Sequence, residues 1–366
     1  MSSPKPLLYV LHSGNLYGTE RMALATLEGL RDSFDATVMA PAGPVHGEAK
    51  NRGYQTQTFS GALDFVRSLR RYLSQHREFT FVATGVVHSL SLFFLNALYR
   101  RKVVHLHMVH GGTDEKLSYG RKRKLNGKGV TFVAVSKYVR ERLIANGVRS
   151  EQIEVVENFL EVERIEKSPV RDSFSSGNDS ILDVIVISRV DPIKRVDVLL
   201  DALDAHPSLQ KFQFRVFGTG WDFDSLSARA KEKNPNVSFE GFCDEIPTRL
   251  KESDLLLHLC PVEPFGLAIL EAMATRIPVL VPNAGGAGSL VDDNETGFVF
   301  TQNDPNRLAA RLEEIASLSA EQLDETTRCA HETLWSRFSP KDRTEDYRRL
   351  FQGESLCQTP ANVLTT

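Results

Sequence analysis

The sequence predicts an α/β protein with two doubly wound domains, each built on a parallel sheet with helices on both faces. Short apolar runs alternate with longer amphipathic stretches along the whole chain, which is the pattern of βα units. A polar, serine-rich segment at 166–180 interrupts this alternation once. A length of 366 residues also suits two ordinary domains better than one large core.

The first array of βα units fills the N-terminal half. Its expected buried strands are Leu7–Leu11, Ala36–Ala40, Phe79–Thr84, Val103–Val109, Thr131–Val135 and Ile153–Val156. Helical patterns lie between several of them, for example at Glu20–Arg31 and Lys137–Asn146. Ser136 is a predicted N-cap of the second of these helices, and Asn146-Gly147 is its predicted C-cap.

The second array begins after the polar segment. Its expected strands are Leu182–Ile187, Gln213–Phe217, Val237–Glu240, Leu255–Leu259, Pro278–Val281 and Gly297–Phe300. We therefore predict domains at 1–167 and 181–335, a linker at 168–180, a helix at 336–353 that returns to the first domain, and a tail at 354–366. Two such domains are expected to face a central cleft, with ligands bound at the carboxyl ends of the strands.

Composition limits the classes of function. The chain is 41% hydrophobic and 25% charged, an ordinary globular balance. Its four cysteines form no CxxC pair and no metal spacing, so a reducing compartment without structural zinc is expected. The N-terminus lacks a signal-peptide pattern, and no apolar run approaches the roughly 20 residues of a membrane span. These features predict a cytoplasmic protein.

Charge is divided unevenly along the chain. Residues 1–168 carry 24 lysines and arginines against 16 aspartates and glutamates, although the whole chain has a net charge of −3. A basic half indicates either an anionic partner or a solvated surface of uneven composition. The segment Gly120–Lys128, GRKRKLNGK, concentrates this charge.

The loop after the predicted strand Leu182–Ile187 presents two cations, Arg189 and Lys194, before the helix Val196–Leu203. Arginine can bind two phosphate oxygens at once, lysine adds a compact charge, and the helix start adds free N–H donors. The loop therefore suits a diphosphate. Taken alone, a basic loop of this kind is also compatible with an ordinary surface.

The stretch EPFGLAILEAMA places two glutamates, Glu263 and Glu271, on either side of a Pro-Phe-Gly turn. Gly266 permits close approach of a ligand, and the N–H groups of Gly266 and Leu267 lie at a helix start, where phosphate binds well. Two carboxylates flanking a phosphate seat suit a nucleotide sugar, which has hydroxyls on both sides of its diphosphate. The alternative is structural, with Glu263 as a cap and Glu271 in an ion pair.

These motifs together resemble the retaining glycosyltransferases of family four, which have the GT-B fold. EPFGLAILEAMA is similar to the family's E-x7-E signature, and SRVDPIKRVDVLLDAL is similar to its G-R-x(4)-K-G segment. FGTG, FEGFCDEIPTRLKESDLLL and SLVDDNETGFVF resemble further family segments in the expected order. The resemblance covers nearly the whole chain.

The resemblance implies roles for individual residues. Arg189 and Lys194 would bind the donor diphosphate, Glu271 the ribose hydroxyls and Glu263 the donor sugar. Backbone groups of Phe265, Gly266 and Leu267 would contact phosphate and sugar, Gly218 lies in the Gly-rich turn, and Phe242 lies by the base. Gly18 would approach the reacting centre. Among three histidines in VVHLHMVHGG, His110 is chosen over His107 to lie near the donor sugar, and His105 is expected to be a core residue.

Four positions depart from the family pattern. Ser188 and Arg195 stand where glycine is usual, Tyr17 stands where a second glycine is common, and Ser289 replaces a glutamate. None of these changes removes a charged donor ligand. The expected consequences are for acceptor shape and local packing.

The resemblance implies a retaining glycosyltransferase of the hexosyltransferase type that needs no cofactor and, lacking an Asp-x-Asp motif, no metal. The donor would be a nucleoside-diphosphate sugar. The acceptor would be a glycan, a lipid-linked molecule or a small molecule, most often in surface polysaccharide or glycolipid synthesis. No nucleic-acid partner is predicted. Peripheral contact with an anionic membrane through Gly120–Lys128 is one interpretation of that basic segment.

Two other functions are alternatives to glycosyl transfer. A non-catalytic nucleotide-sugar-binding or partner subunit would also have this fold, although the retained Arg189, Lys194, Glu263 and Glu271 argue against a decayed site. An oxidoreductase is disfavoured, because FGTGWD lacks the third glycine and the later acidic residue of a dinucleotide motif.

Overall fold

A computed structural model describes residues 3–112, 114–174 and 183–356 of the chain. The chain divides into two compact units. The first unit comprises residues 1–159 and 340–366, and the second comprises residues 160–339. Each unit is built on its own sheet, and all strand pairs within both sheets are parallel.

Seven strands form the sheet of the first unit, in the order β3-β2-β1-β4-β5-β6-β7. They are β1 (Lys5–Val10), β2 (Phe34–Ala40), β3 (Gln55–Thr58), β4 (Glu78–Ala83), β5 (Lys102–Val109), β6 (Thr131–Ala134) and β7 (Ile153–Val155). The direction of winding reverses between β1 and β4. Parallel α/β sheets bind ligands at such a reversal, beyond the carboxyl ends of the strands.

Helices cover both faces of this sheet. They are α1 (Gly18–Gly29), α2 (Val45–Asn51), α3 (Gly61–Gln75), α4 (Val86–Tyr99), α5 (Glu115–Ser118) and α6 (Lys137–Ala145), with 3-10 turns at Gly120–Leu125 and Ser150–Gln152. The predicted cap of α6 is confirmed, because Ser136 Oγ accepts a hydrogen bond from the Val139 N–H at 3.1 Å.

The sheet of the second unit has six strands in the order β10-β9-β8-β11-β12-β13. They are β8 (Asp183–Ile187), β9 (Gln213–Phe217), β10 (Val237–Gly241), β11 (Leu255–Leu257), β12 (Val279–Pro282) and β13 (Phe298–Phe300). The winding reverses between β8 and β11. The predicted fold class, two doubly wound parallel-sheet domains, is confirmed.

The helices of the second unit are α7 (Val162–Glu166), α8 (Val196–Ala205), α9 (Phe223–Lys233), α10 (Ile246–Lys251), α11 (Leu267–Thr275), α12 (Pro305–Ala316) and α13 (Ala320–Ser336). Short 3-10 turns lie at Pro192–Lys194, Pro207–Lys211 and Ala287–Ser289. Strand, helix and loop residues share one buried cluster that includes Leu199, Phe214 and Leu257.

All twelve predicted strands are present, with small differences at their ends. Strand β3 was not predicted. Its sequence, QTQT, is polar on both faces, and its residues are exposed or partly buried because it lies at the sheet edge. A polar edge strand carries no hydrophobic period for sequence analysis to detect.

A last helix, α14 (Pro340–Gln352), packs within the first unit. The buried Thr80 Oγ donates to the carbonyl of Phe351 at 2.6 Å, and the Phe351 ring lies 6.0 Å from that of Phe34 in an edge arrangement. The Arg348 guanidinium donates to the carbonyl of Gly29 at 3.1 Å. These contacts join α14 to β4, to β2 and to the end of α1.

The boundary between the units differs from the prediction of 167. The first unit ends at Phe159, because Ile165 of α7 is buried and Arg164 contacts Glu271 inside the second unit. The described part of the predicted linker is also packed there, since Arg171 forms a 2.9 Å ion pair with Asp254 and Phe174 is buried. Residues 175–180 of the predicted linker and 357–366 of the predicted tail lie outside the described residues.

Candidate functional site

The candidate site lies at the carboxyl edge of the second sheet, where the winding reverses between β8 and β11. Residues 188–195 follow β8, and residues 258–266 follow β11. Parallel strands bring these two loops to the same edge, although they are distant in sequence. Four of the predicted donor ligands, Arg189, Lys194, Glu263 and Gly266, are on these loops.

Lys194 and Glu263 form the central contact between the two loops. Lys194 Nζ lies 2.5 Å from Glu263 Oε2, and each side chain is only 17% exposed. Burial opposes the charge on both groups, but their mutual attraction outweighs it. The pKa of Lys194 is therefore raised and the pKa of Glu263 is lowered, so both are charged at neutral pH.

Two further side chains surround this ion pair. His258 Nε2 lies 3.7 Å from Glu263 Oε2, beyond hydrogen-bonding distance, and burial lowers its pKa to about 4. Cys260 Sγ donates to the carbonyl of Ile193 at 3.3 Å, and burial raises the thiol pKa to about 11. His258 and Cys260 are thus neutral at pH 7. Neither adds a charge that would compete with Lys194 for Glu263 or with Glu263 for Lys194.

Arg189 is the exposed cation of the site. Its side chain is 63% exposed, and Nη1 lies 2.9 Å from Asp191 Oδ2. The Asp191 carboxylate is nearly buried, and its other oxygen accepts a hydrogen bond from the Trp221 N–H at 3.1 Å. Sequence analysis did not identify Asp191, which holds Arg189 in place and joins the loops after β8 and β9.

The Gly-rich turn fits closely against the loop after β8. Gly218 has a φ of 137°, and a Cβ there would collide with the carbonyl of Ser188. The Gly218 N–H donates to the carbonyl of Gly241 at 2.7 Å, so the loops after β8, β9 and β10 form one layer. Phe242 follows Gly241 and is 72% exposed. Its ring is free to meet a ligand above this layer.

The start of α11 provides backbone donors. Gly266 caps the helix with a φ of 111°, which favours glycine, and Leu267 is the first helical residue. The Phe265 ring is buried against Phe338, with centroids 5.9 Å apart, so only the backbone of Phe265 can meet a ligand. The Gly286 N–H donates to the Glu263 carbonyl at 2.6 Å, which fixes the turn. Such a helix start suits a phosphate group.

Glu271 lies further along α11 and is 9% exposed. Its Oε1 accepts a hydrogen bond from the Arg164 guanidinium of α7. Sequence analysis placed α7 in the first domain and therefore missed Arg164. The ion pair that the structural alternative assigned to Glu271 is present, and it does not exclude ligand binding, because each carboxylate oxygen can accept more than one hydrogen bond.

In the first unit, Gly18 begins α1 and His110 follows β5. His110 Nε2 is buried and has no hydrogen-bond partner among the described residues. Burial lowers its pKa to about 4, which makes the ring neutral at pH 7. His105 packs edge-on against Phe81 with centroids 5.2 Å apart, which agrees with its predicted place in the core.

The basic segment Gly120–Lys128 is only partly a surface. A 3-10 helix has three residues per turn, so Lys122 lies on the same side of Gly120–Leu125 as the buried Leu125. Lys122 is 7% exposed, whereas Arg121, Arg123 and Lys124 are exposed. The expectation that Lys122 belongs to the basic surface is therefore wrong.

The described residues contain neither a metal-binding cluster nor a membrane-spanning helix. In the part of the chain that the structure describes, no group of three or more His, Cys, Asp or Glu side chains is placed to hold a metal ion. Among the same residues, no helix is both long and apolar enough to cross a membrane.

The chain matches two family models. One, described as glycosyl transferases group 1, matches residues 172–330, and the other, described as glycosyltransferase family 4, matches residues 17–164. The poly(ribitol-phosphate) alpha-N-acetylglucosaminyltransferase of Staphylococcus aureus is 22% identical over 68% of this chain and 50% of its own length. A GDP-mannose-dependent phosphatidylinositol monomannoside mannosyltransferase of Mycobacterium tuberculosis is 28% identical over 51% of this chain and 52% of its own length. The chain thus spans about half the length of these curated relatives.

Solved structures show the same fold over nearly the whole chain. HepE of Anabaena, crystallised with UDP and glucose, has a TM-score of 0.79 at 20% identity and covers 95% of this chain and 100% of its own. A glycosyltransferase of Rickettsia africae has a TM-score of 0.81 at 17% identity, and the match covers 96% of this chain and 99% of that protein. With its two matching family models and its two parallel-sheet units, the chain belongs to the group 1 glycosyltransferases of the GT-B fold.

Proposed function

We propose that the protein transfers a sugar from a nucleoside-diphosphate sugar to an acceptor hydroxyl, with retention of anomeric configuration and without a metal ion. One observation carries this proposal. At the switch point of the second sheet, the loop that carries Arg189 and Lys194 meets Glu263, with Lys194 Nζ 2.5 Å from Glu263 Oε2, and α11 starts between Glu263 and Glu271 in sequence. Cations suit the diphosphate, and carboxylates suit the hydroxyls of ribose and sugar.

Charge stabilisation is the proposed source of catalysis. As the bond to the diphosphate breaks, negative charge grows on the leaving phosphate. Arg189, Lys194 and the N–H groups at the start of α11 would stabilise that charge without further rearrangement. Asp191 and Glu263 hold the two cations in place before the donor binds. These residues would stabilise the charge on the leaving phosphate, as a divalent cation does in metal-dependent enzymes.

The remaining donor contacts follow the family resemblance. Glu271, oriented by Arg164, would accept hydrogen bonds from the ribose hydroxyls, and Glu263 would contact the donor sugar. Phe265, Gly266 and Leu267 would offer backbone groups, while Gly218 and the exposed Phe242 would flank the base. Gly18 and the neutral His110 keep their implied roles near the reacting centre.

The relatives support a role in glycan or glycolipid synthesis. Two are named for polymeric or lipid acceptors, poly(ribitol-phosphate) and phosphatidylinositol monomannoside. Solved neighbours have been crystallised with UDP-glucose and with UDP beside a glycan. We therefore propose a hexose-type donor and a glycan or lipid-linked acceptor for this chain. The cytoplasmic location predicted from the sequence stays a prediction.

Activity can be measured before the acceptor is known. Purified protein should slowly hydrolyse one of a panel of UDP-, GDP- and ADP-sugars, and the first-formed free sugar should have the donor's anomeric configuration by NMR. EDTA should not change the rate. Lys194→Ala and Glu271→Ala should abolish hydrolysis. Binding of a nucleotide without any hydrolysis would instead support the non-catalytic subunit, and loss of activity in EDTA would contradict metal independence.

Peripheral membrane contact is also proposed, on a surface of the first unit. Helix α4 exposes Val87, Phe94 and Leu98, at 60%, 64% and 79%, on one face. Beside it lies a pocket of about 800 Å³ whose lining includes Lys116, Arg121, Arg123 and Lys124. Lys128 Nζ lies 5.1 Å from the ring centroid of Phe93, which joins the apolar and basic parts. Apolar side chains bordered by cations suit an anionic bilayer surface.

Vesicle sedimentation tests this contact. The protein should pellet with vesicles containing anionic phosphatidylglycerol and not with phosphatidylcholine alone, because each cation near an anionic surface adds about 1 kcal/mol. Arg121→Glu with Lys124→Glu should abolish pelleting. The matched control, Lys211→Glu with Lys233→Glu, makes the same charge change on the second unit and should have no effect. Equal pelleting of both double variants would contradict the proposal.

A further inference from the structure

The switch point of the first sheet carries an exposed histidine, His12, that has no part in the proposed donor contacts. Strands β1 and β4 end side by side, with Val10 paired to Ala83 in the parallel register. His12 and Thr84 follow these strand ends, so both lie at the carboxyl edge where the winding reverses. Sheets of this kind bind ligands at such an edge. The position of His12 is therefore that of a ligand-binding residue.

Thr84 fixes the orientation of the His12 ring. The Thr84 hydroxyl oxygen accepts a hydrogen bond from the His12 N–H at 2.9 Å and lies 2.8 Å from His12 Nδ1. The other acceptor within reach of the hydroxyl proton, the carbonyl of Val10, is 3.5 Å away and already accepts from the Thr84 N–H at 3.1 Å. Because hydrogen bonds weaken at such a length, the Thr84 hydroxyl donates to His12 Nδ1.

The hydrogen bond from Thr84 determines what the other ring nitrogen can do. A neutral imidazole carries one proton, so a ring that accepts at Nδ1 has its proton on Nε2. Partial burial lowers the pKa of His12 from 6.5, which keeps the ring neutral at pH 7. Among the residues that the structure describes, none is hydrogen-bonded to His12 Nε2. His12 thus presents one unoccupied N–H donor at the switch point.

The loop that begins at His12 is held on both sides. On the side of β2, the Gly14 carbonyl accepts a hydrogen bond from the Val45 N–H at 3.1 Å, and a Cβ at Gly14 would collide with the backbone that follows β2. On the side of β4, a Cβ at Gly85 would lie 3.4 Å from the His12 Cβ. Close packing of this kind leaves the loop little freedom. The His12 donor is therefore oriented before any ligand binds, which reduces the entropic cost of binding.

We propose that His12 binds a sugar ring of the acceptor, with Nε2–H donating a hydrogen bond to one of its hydroxyl oxygens, and that Thr84 is the positioning residue that orients the imidazole. This inference rests on the proposed glycosyl transfer, for which it supplies an acceptor contact. The loop from His12 ends at Gly18, whose implied place is near the reacting centre. An uncharged hydroxyl suits a neutral N–H donor, whereas the donor diphosphate needs cations. A site that hydrogen-bonds a hydroxyl rejects ligands that lack it, so His12 would contribute to the choice of acceptor.

NMR of the histidine rings tests both the orientation and the binding. In protein labelled with ¹³C and ¹⁵N at histidine, the His12 signals are assigned by their loss in His12→Phe and should show the tautomer protonated at Nε2. Thr84→Ser keeps the hydroxyl and should keep this tautomer, whereas Thr84→Val should not. With UDP present, the methyl glycoside of glucose, galactose, mannose or N-acetylglucosamine should shift the His12 signals. The opposite tautomer in the unaltered protein, or no shift with any of the four glycosides, would overturn the proposal.

A comparison of transfer with hydrolysis separates this proposal from the proposed function. The unaltered protein should glycosylate a glycoside that shifts His12, and His12→Phe should lower this transfer about tenfold, the effect of one lost hydrogen bond. Hydrolysis of the donor should be unchanged in His12→Phe, because water needs no acceptor contact, and His12→Gln should restore part of the transfer through its amide N–H. The matched control is His76→Phe, at the end of α3 on the opposite edge of the sheet, which should change neither rate.

Two results would overturn the role of His12: equal transfer by His12→Phe and the unaltered protein, or no transfer to any glycoside that shifts the His12 signals. Absence of donor hydrolysis in the unaltered protein would count against the proposed glycosyl transfer instead.

Discussion

Both sheets reverse their winding once, between β1 and β4 and between β8 and β11, but the charged residues at the two carboxyl edges are paired differently. In the second unit, buried carboxylates are matched with cations, as in Lys194–Glu263 and Arg164–Glu271. In the first unit, Lys122 has no carboxylate partner among the described residues, and its neighbours are imidazoles whose pKa values are lowered. One edge is neutralised by its own residues, and the other keeps an uncompensated cation.

The difference concerns ligand binding in the second unit and stability in the first. Ion pairs in the second unit hold Arg189 and Lys194 in position, so binding of the proposed donor would need little reorganisation. In the first unit, the folded chain bears the cost of burying the charge of Lys122.

The largest expected difference between the two units is in how much stability each loses when the pH is lowered. In the first unit, burial lowers the pKa of His88 and His110 to about 4 and that of His105 to about 3. Among the described residues of the second unit, His258 alone has a histidine pKa lowered in this way. Because the unfolded chain binds protons below pH 6.5 and the folded unit does not, this stability is lost as pH falls from 6.5 toward 4. The loss should reach several kcal/mol.

Peptide-resolved hydrogen exchange, corrected for intrinsic rates, measures this loss. Between pH 7 and pH 5, protection should fall further in β4 and β5 than in β8 and β11. Equal losses in both sheets would contradict the electrostatic contrast.

Breaking the central ion pair should have the next largest effect. Lys194→Met leaves Glu263 buried without its cation, which should lower the free energy of unfolding of the second unit by about 3 kcal/mol. The double variant Lys194→Met with Glu263→Gln removes both charges and should recover more than half of that loss. Urea unfolding of the single and double variants measures both. A single variant as stable as the unaltered protein would show that the pair is not coupled.

Removing the buried cation of the first unit should raise the free energy of unfolding, whereas Lys194→Met lowers it. Lys122→Met at pH 7 should raise the free energy of unfolding by about 2 kcal/mol, the cost of burying the charge less one hydrogen bond. Because the folded pKa is lowered to about 8 from 10.5, the unaltered protein gains stability as pH rises through this range, and the advantage of the variant should shrink. A variant less stable than the unaltered protein at pH 7 would show that Lys122 is structurally satisfied.

The smallest effect is expected at Arg195, where the family often has glycine. Arg195 has a φ of 57°, a left-handed conformation that explains the glycine preference. Its 3.0 Å ion pair with Asp197 is partly exposed and contributes little. Arg195→Gly should therefore change the free energy of unfolding by less than about 1 kcal/mol, whereas Arg195→Val should lower it by about 2 kcal/mol. Equal effects in thermal unfolding would show that backbone strain is unimportant here.

Sequence patterns predicted the fold because buried parallel strands read as apolar runs, and they placed Arg189, Lys194, Glu263 and Glu271 in one unit because strand ends share an edge. They did not find Arg164, whose helix lies before the second sheet in sequence and packs with it in space. Asp191 was missed for a similar reason, since an aspartate in a loop carries no sign that its carboxylate is buried.

Lys122 shows most clearly what could not be predicted from the sequence. Within GRKRKLNGK it is indistinguishable from its neighbours, and only the 3-10 geometry places it on the buried side with Leu125. The burial of a charged residue depends on what the rest of the chain packs against it. Sequence alone therefore predicted a basic surface from Arg121 to Lys124, of which the structure exposes Arg121, Arg123 and Lys124 and buries Lys122.

The switch point of the second sheet, between β8 and β11, is the proposed binding site for a nucleoside diphosphate. The most direct measurement is hydrogen exchange with and without UDP, GDP and ADP at saturating concentrations. One nucleotide should protect peptides covering residues 188–196 and 258–275, and Lys194→Ala should abolish that protection. Protection confined to other parts of the chain, or unchanged in Lys194→Ala, would contradict the claim.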